Sequence, residues 1–238
     1  MPSEETTSIS NSWEINAEEW IRVLKEQKIP SREITNPAII NHVLGFKLKN
    51  ILDLGCGEGW LCRALSSKAI KTFGVDGSER LILEASEKGK SSNYQCLSFE
   101  DIINGAKING APYEGIIFNF CLYEKSMTER LLIKIDELLV NDGYVFIQTL
   151  HPFTFYKNGQ AYKSDWVNDS WKGLPGNFKM PHRWYFRTLE DWIFLFQKTG
   201  YTMINLKEPK SVEAELPSSI IFTLKKSNGI SEIEEIKL

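Results

Sequence analysis

Between residues 50 and 149 the chain alternates short β-rich apolar runs with longer helical patterns, and that alternation restricts the available folds to very few. The strand candidates are 50–54, 72–75, 93–97, 115–120 and 143–149, and helical candidates at 60–67, 78–88 and 127–139 fall between them. Parallel neighbours need crossover connections, so this order predicts a mostly parallel sheet with helices on both faces. Ile116, Ile117 and Phe118 are apolar at consecutive positions, which suits a strand buried on both sides.

Upstream, two helices are predicted. One runs from Asn16, a suitable N-cap, toward Pro30, with Trp20, Ile21, Val23 and Leu24 at helical spacing; the second starts near Asn36 and Pro37. Residues 1–12 read as a flexible polar tail, 13–226 as a single domain, and 227–238 as a polar C-terminal tail. After Thr149 the alternation stops. Residues 151–187 are too long for a structureless connection and are expected to carry a small two-stranded ribbon, 163–169 with 182–187. A helix at 189–198 and strands at 202–206 and 219–225 complete the pattern.

Composition narrows the function classes. With 238 residues and a net charge of −3, the chain can bury a sizeable core unaided and does not blanket nucleic acid with positive charge. Its four cysteines have neither zinc-site nor redox-pair spacing, so no metal is expected, and a reducing, cytoplasmic location is. No run approaches the ~20 apolar residues of a membrane span.

The most informative passage is ILDLGCGEGW, 51–60: an apolar strand end, glycines at Gly55, Gly57 and Gly59, then a helix start. Such a loop brings backbone close to a polar ligand beside a helix N-terminus. The dinucleotide fingerprint requires a glycine where Trp60 stands, and Asp53 before the loop disfavours a diphosphate but suits an amino group or a sulfonium. Asp76 lies where a second strand ends, and an acid there can accept both hydroxyls of a ribose. Ser78 is better placed than Asp76 to cap the next helix.

These residues resemble the class I S-adenosylmethionine-dependent methyltransferases, closest to the small-molecule branch. ILDLGCGEG is similar to that family's first motif and 74–78 to its second, while 113–122 and 139–147 resemble the fourth- and fifth-strand segments. The resemblance implies a Rossmann-like seven-stranded α/β sheet with its last strand antiparallel, S-adenosylmethionine as cofactor and S-adenosylhomocysteine as product. It further implies that Asp53, Gly55, Cys56 and Gly57 surround the methionine part. Asp76 and Gly77 would hold the ribose, Ser98, Phe99 and Glu100 would flank adenine, and Asn119, Phe120 and Cys121 would lie near the methyl group. Where many relatives place Asp against the adenine amino group this chain has Ser98, and after the fourth strand it has Tyr123 and Glu124.

A sulfonium methyl is already activated, so orientation and water exclusion dominate and a base is optional. His151, directly after the fifth strand, is the first candidate base and His182 the second; His42 reads as surface or packing, and Arg32 as solvated. Ten aromatics and six basic residues against two acids fall between His151 and Arg187. Two readings compete for this segment, a lid walling an acceptor pocket and a nucleic-acid stacking platform. The lid is preferred because no basic groove elsewhere extends a nucleic-acid track. It would place Tyr123, Phe155, Tyr156, Trp166, Trp171 and Trp184 around a small-molecule acceptor, with Trp192 packing its helix on the sheet. An RNA or protein methyltransferase and a noncatalytic cofactor-binding module are the alternatives.

Overall fold

The structure, a computed structural model, describes residues 3–153, 159, 161–211, 213 and 216–227. The helices are α1 (Glu4–Lys25), α2 (Arg32–Leu44), α3 (Trp60–Ser66), α4 (Glu79–Lys88), α5 (Phe99–Ile103), α6 (Lys125–Lys134) and α7 (Leu189–Lys198). The strands are β1 (Asn50–Leu54), β2 (Lys71–Asp76), β3 (Asn93–Cys96), β4 (Tyr113–Asn119), β5 (Leu139–Thr149), β6 (Asp165–Val167), β7 (Trp184–Phe186), β8 (Tyr201–Lys207) and β9 (Ile220–Lys226). Seven of the strands form one sheet in the order β3-β2-β1-β4-β5-β9-β8. Strand β9 is inserted antiparallel to both β5 and β8, as the resemblance implied.

Alternation along the strands sorts the core into two layers. Leu52, Leu54, Ile116, Phe118, Val145 and Ile147 face one side with α7, where Trp192 packs against Phe196 and Phe222. Ile51, Ile117 and Phe146 face the other, under α2 and α3. Residues of like parity share a face. Asp53, Asn119 and Gln148 therefore continue the second face toward the carboxyl ends of their strands, where open α/β sheets bind ligands.

Several boundaries differ from the sequence expectation. Helix α1 begins at Glu4, so most of the expected flexible tail is helical. Ser3 Oγ accepts from Thr6 N at 3.1 Å, and Glu4 and Glu5 favour the positive end of the helix dipole. Asn16 is consequently not an N-cap but a residue of the helix interior. Helix α2 starts at Arg32 and runs through Pro37. Helix α5 was not anticipated, being only five residues long; Ser98 and Asp101 build a capping box at its start. Helix α6 ends at Lys134, and a 3-10 turn spans Ile135–Leu138. The expected ribbon forms as the antiparallel pair of β6 and β7. Ser78 caps α4 by accepting from Leu81 N at 3.3 Å.

Candidate functional site

The loop from Gly55 to Gly59 is held by contacts that only glycine permits. At Gly55, with φ of 75°, a Cβ would lie 2.5 Å from Cys121 Cβ and 2.8 Å from its Sγ. Gly55→Ala is therefore expected to destabilise the fold by about 2–4 kcal/mol, from the left-handed backbone and the collision together. Urea unfolding measures the loss, and adding Cys121→Gly should recover part of it. Gly57 also has positive φ, 56°, but a Cβ there would meet nothing within 4 Å, so the space beside it is open. Asp76 steadies this turn: its Oδ2 accepts from Gly57 N at 2.8 Å and its Oδ1 from Ser78 N at 2.9 Å. Burial raises its pKa, and the charge of Glu14 on α1 adds to the rise.

On the α2 face, three side-chain acceptors have no hydrogen-bond partner among the described residues: Asp53 Oδ1, Asn119 Oδ1 and Gln148 Oε1. Asn119 and Gln148 are register partners, and Asp53 lies one strand over, opposite Ile117. Gln148 Nε2 donates to Thr35 O at 3.1 Å, which fastens the first turn of α2 above this corner. Arg32, the first residue of that helix, stacks its guanidinium over Trp60 at 4.8 Å. Burial lowers its pKa, countered by the charge of Glu58. Unpaired buried acceptors are uncommon, so their convergence marks a place for a donor-rich group. The half-buried Arg32 guanidinium, at the start of the helix that Gln148 fastens, carries the complement for a carboxylate.

Asp53 is 2% exposed, and burial lifts its carboxyl to about 7. Raised above its unfolded value, this group keeps its proton in the fold while the unfolded chain has lost it. Stability from this group is thus greatest near pH 4 and falls as pH rises toward 7. Asp53→Asn is expected to flatten that decline and raise stability at pH 8 by a few kcal/mol, on the order of what the shift implies. Parallel melting-temperature profiles for the two proteins between pH 4 and 8 would contradict it.

Over the opposite rim, α1 and the ribbon segment form one aromatic roof. Trp13 stacks on Tyr123 (6.0 Å between centroids, 24° between planes) and meets Trp171 edge-on at 4.7 Å. Trp171 in turn stacks on Phe178 at 4.5 Å and donates from Nε1 to Ser12 Oγ at 3.0 Å. Asn16 clamps the segment from both sides: Nδ2 donates to Lys179 O at 2.5 Å, and Oδ1 accepts from Lys179 N at 2.7 Å. The ribbon is tied to the loop after β4, because Tyr185 N donates to Tyr123 O at 2.7 Å. His182 sits inside this roof, 1% exposed, with Nδ1 3.0 Å from Ser170 Oγ and Nε2 without a partner among the described residues.

A family model described as a methyltransferase domain matches residues 25–206. The chain belongs to the methyltransferase domain family. Among solved structures, a 1,6-didemethyltoxoflavin-N1-methyltransferase from Burkholderia thailandensis superposes with a TM-score of 0.68 at 15% identity, covering 96% of this chain and 91% of that one. The magnesium protoporphyrin IX methyltransferase of Synechocystis PCC 6803 gives 0.65 at 13% identity, covering 94% of this chain and all of the other. Both likenesses concern the fold. A ubiquinone biosynthesis O-methyltransferase from Idiomarina loihiensis is 37% identical over 68 residues, which is 27% of this chain and 28% of that relative.

Within this methyltransferase domain the structure gathers Asp53, Gly55, Gly57, Asp76 and Asn119 at the carboxyl ends of β1, β2 and β4, as the sequence implied. Phe120 follows with φ of 54°, its N–H donating to Gln148 O at 2.8 Å, and Gly77 is exposed beside Ser98. Phe99 packs next to Gly55. Other expectations need correction. The Cys56 side chain is buried with Cys62, Ile82 and Tyr94, so only its backbone belongs to the loop. Cys121 Sγ donates to Leu54 O at 3.1 Å and faces the loop from behind. Ser98 Oγ donates to Asp101 Oδ2 at 2.6 Å, and Glu100 pairs with Arg130 at 3.1 Å, so neither side chain is free for adenine.

His151 does not fit the role of base. Its Nδ1 accepts from Phe153 N at 3.1 Å, which leaves Nε2 to donate to Glu208 at 2.8 Å, and both nitrogens are committed. Trp171 is 6% exposed and serves as the core of the roof rather than an open wall. Trp166 meets Tyr185 edge-on at 5.4 Å under the guanidinium of Arg183, and Trp184 packs with Phe186; both are occupied in the ribbon. Phe155 and Tyr156 lie outside the described residues. The sequence reading did not single out Trp13 or Gln148 and set Arg32 aside as solvated; the geometry makes all three candidate site residues. The available signal was the polar pair Ser12 and Asn16, four apart on the face of a helix whose start had been placed too late.

Proposed function

We propose that this domain binds S-adenosylmethionine on the rim of β1, β2 and β4 and transfers its methyl group to a small-molecule acceptor beneath the aromatic roof. The observation that carries the reading is the corner of Asp53, Asn119, Gln148 and Arg32. Three unpaired acceptors suit the three N–H bonds of an ammonium, and the guanidinium at the start of α2 suits a carboxylate. Together they match the free amino-acid end of S-adenosylmethionine. Asp76 then accepts the ribose hydroxyls, and the open space at Gly57 admits the ligand backbone-close.

The cofactor supplies a sulfonium methyl that needs no further activation. The protein's part is to orient the acceptor and exclude water, to which α1 and residues 165–187 contribute as a lid. A small acceptor fits better than RNA, since three of the segment's cationic side chains already have partners in the fold. Lys163 pairs with Asp165 at 2.9 Å, Arg183 covers Trp166, and Arg187 is buried and donates to Glu124 O and Lys125 O. Four free thiols favour the reducing cytoplasm. Calorimetric titration with S-adenosylhomocysteine is expected to show one site of micromolar order, and no binding by the intact protein would overturn the reading. Proton release on binding, rising as pH falls from 8 toward 6, is expected as well, because an ammonium beside Asp53 favours its ionised form.

A further inference from the structure

Asp53 stands at the end of β1, 2% exposed, and its two carboxyl oxygens have different surroundings. Oδ1 has no hydrogen-bond partner among the described residues. Oδ2 lies 3.7 Å from Sγ of Cys62, a fully buried residue in the first turn of α3. Burial and the neighbouring carboxylate push that thiol well up, so it keeps its proton and is the donor of the pair. Its place is fixed from outside the loop: Thr72 Oγ1 on β2 donates to Cys62 O at 3.3 Å, and the side chain packs with Cys56, Ile82 and Tyr94. Neither register partner of Asp53, Gly74 on β2 or Ile117 on β4, offers a side-chain donor.

Resting on the proposed cofactor binding, we propose that Cys62 is a positioning residue: its thiol holds Asp53 by Oδ2 and leaves Oδ1 directed at the cofactor's ammonium. A carboxylate tied at one oxygen has a fixed plane, so the free oxygen points the right way before the ligand arrives and binding need not order it. A thiol is also a weak donor, which orients the group without forcing it to ionise. Asp76 at the end of β2 and Glu58 in the glycine loop both raise Asp53 further, and burial leaves it at about 7. Glu58 in turn pairs with Arg63 and faces Arg32 of α2, while the thiols of Cys56 and Cys121 near Asp53 are pushed up and stay neutral. At neutral pH an ammonium arriving at Oδ1 therefore displaces a proton. The thiol sets how readily that happens, because the ionised form loses a donor without it and the proton is held to higher pH.

The test compares the full-length parent with Cys62→Ala, and with Cys62→Val, which fills the space of the thiol without a donor. Titration calorimetry with S-adenosylhomocysteine is run at pH 6.5, 7.5 and 8.5. Both variants are expected to bind roughly three- to fivefold more weakly than the parent at pH 6.5 and within about twofold of it at pH 8.5, where all three proteins hold Asp53 ionised. Proton release on binding at pH 7.5, read from buffers of different ionisation heat, should be larger in the variants. Melting without ligand gives a second readout. The folded carboxyl is raised further above its unfolded value, so the fall in stability with rising pH should extend to higher pH in Cys62→Ala. In an Asp53→Asn background the same substitution should lower the melting temperature equally at every pH. A loss of affinity equal at all three pH values is what lost packing alone produces, and it would overturn the role. So would a pH-dependent effect that persists in Asp53→Asn. Should the parent bind no S-adenosylhomocysteine, the cofactor reading falls and the ammonium contact with it; binding by the parent with unmoved pH profiles in the variants removes Cys62 alone.

Discussion

Asp76→Ala is expected to weaken S-adenosylhomocysteine binding by roughly 30- to 150-fold, the equivalent of about 2–3 kcal/mol for hydroxyls that lose a charged acceptor. The carboxylate sits at the end of β2 and already orders the loop through Gly57 N and Ser78 N, so the substitution removes both a ligand contact and a loop restraint. Secondary structure should persist, because the α4 cap is the hydroxyl of Ser78 and not this carboxylate. Asp76→Asn should fall between, since its amide oxygen can still accept but carries no charge. Titration calorimetry on the folded variants, checked by circular dichroism, reads this out. An alanine variant that binds as the parent does would remove Asp76 from the site.

The second large effect is expected at Asn16. Its side chain is 1% exposed and makes three hydrogen bonds, to Ser12 O within α1 and to both backbone groups of Lys179. Asn16→Leu preserves size and improves helix propensity but leaves the Lys179 N–H and C=O unpaired against an apolar surface. The expected loss is about 2–4 kcal/mol, concentrated in the roof. Limited proteolysis should then cut near 172–181, with the seven-stranded sheet still protected, because Trp171 and Phe178 are held to α1 chiefly through Ser12, Asn16, Trp13 and Trp20. Hydrogen exchange distinguishes local opening of this segment from global unfolding. Uniform destabilisation with unchanged cleavage sites would show that α1 and the segment are not coupled in this way.

The two experiments probe parts of the molecule that differed greatly in how legible they were. The positions of the glycine loop, Asp53 and Asp76 could be read because they depend on local backbone geometry: a strand end, positive φ at Gly55 and Gly57, an acid one strand over. The mostly parallel sheet followed from alternation, and its seven strands with the last one antiparallel from the family resemblance. Less was legible where a side chain's duty depends on what packs against it. Ser98 and Glu100 stand at the right distance along the chain for adenine, yet a five-residue helix turns one into a cap and the other toward Arg130. His151 stands at the right sheet edge, but Glu208 lies 57 residues further along and nothing local announces their bond.

The N-terminal helix makes the same point in reverse. Ser, Thr and Asn dominate its first turns and argue for a tail, since they compete with helical hydrogen bonding. Ser12 and Asn16 hydrogen-bond to residues about 160 positions away, and those long-range bonds help hold the helix in place. Its Trp13 thereby reaches Tyr123, and a segment outside the recognisable motif region becomes part of the aromatic roof.

From sequence alone, the alternation determined the class of sheet and the glycine loop the rim proposed to bind the cofactor, because both are written in short-range periodicity and backbone conformation. Only the tertiary structure decided which polar atoms remain unpaired. That depends on every neighbour a side chain acquires in the fold, and the unpaired atoms at Asp53, Asn119 and Gln148 are those on which the proposed cofactor site rests.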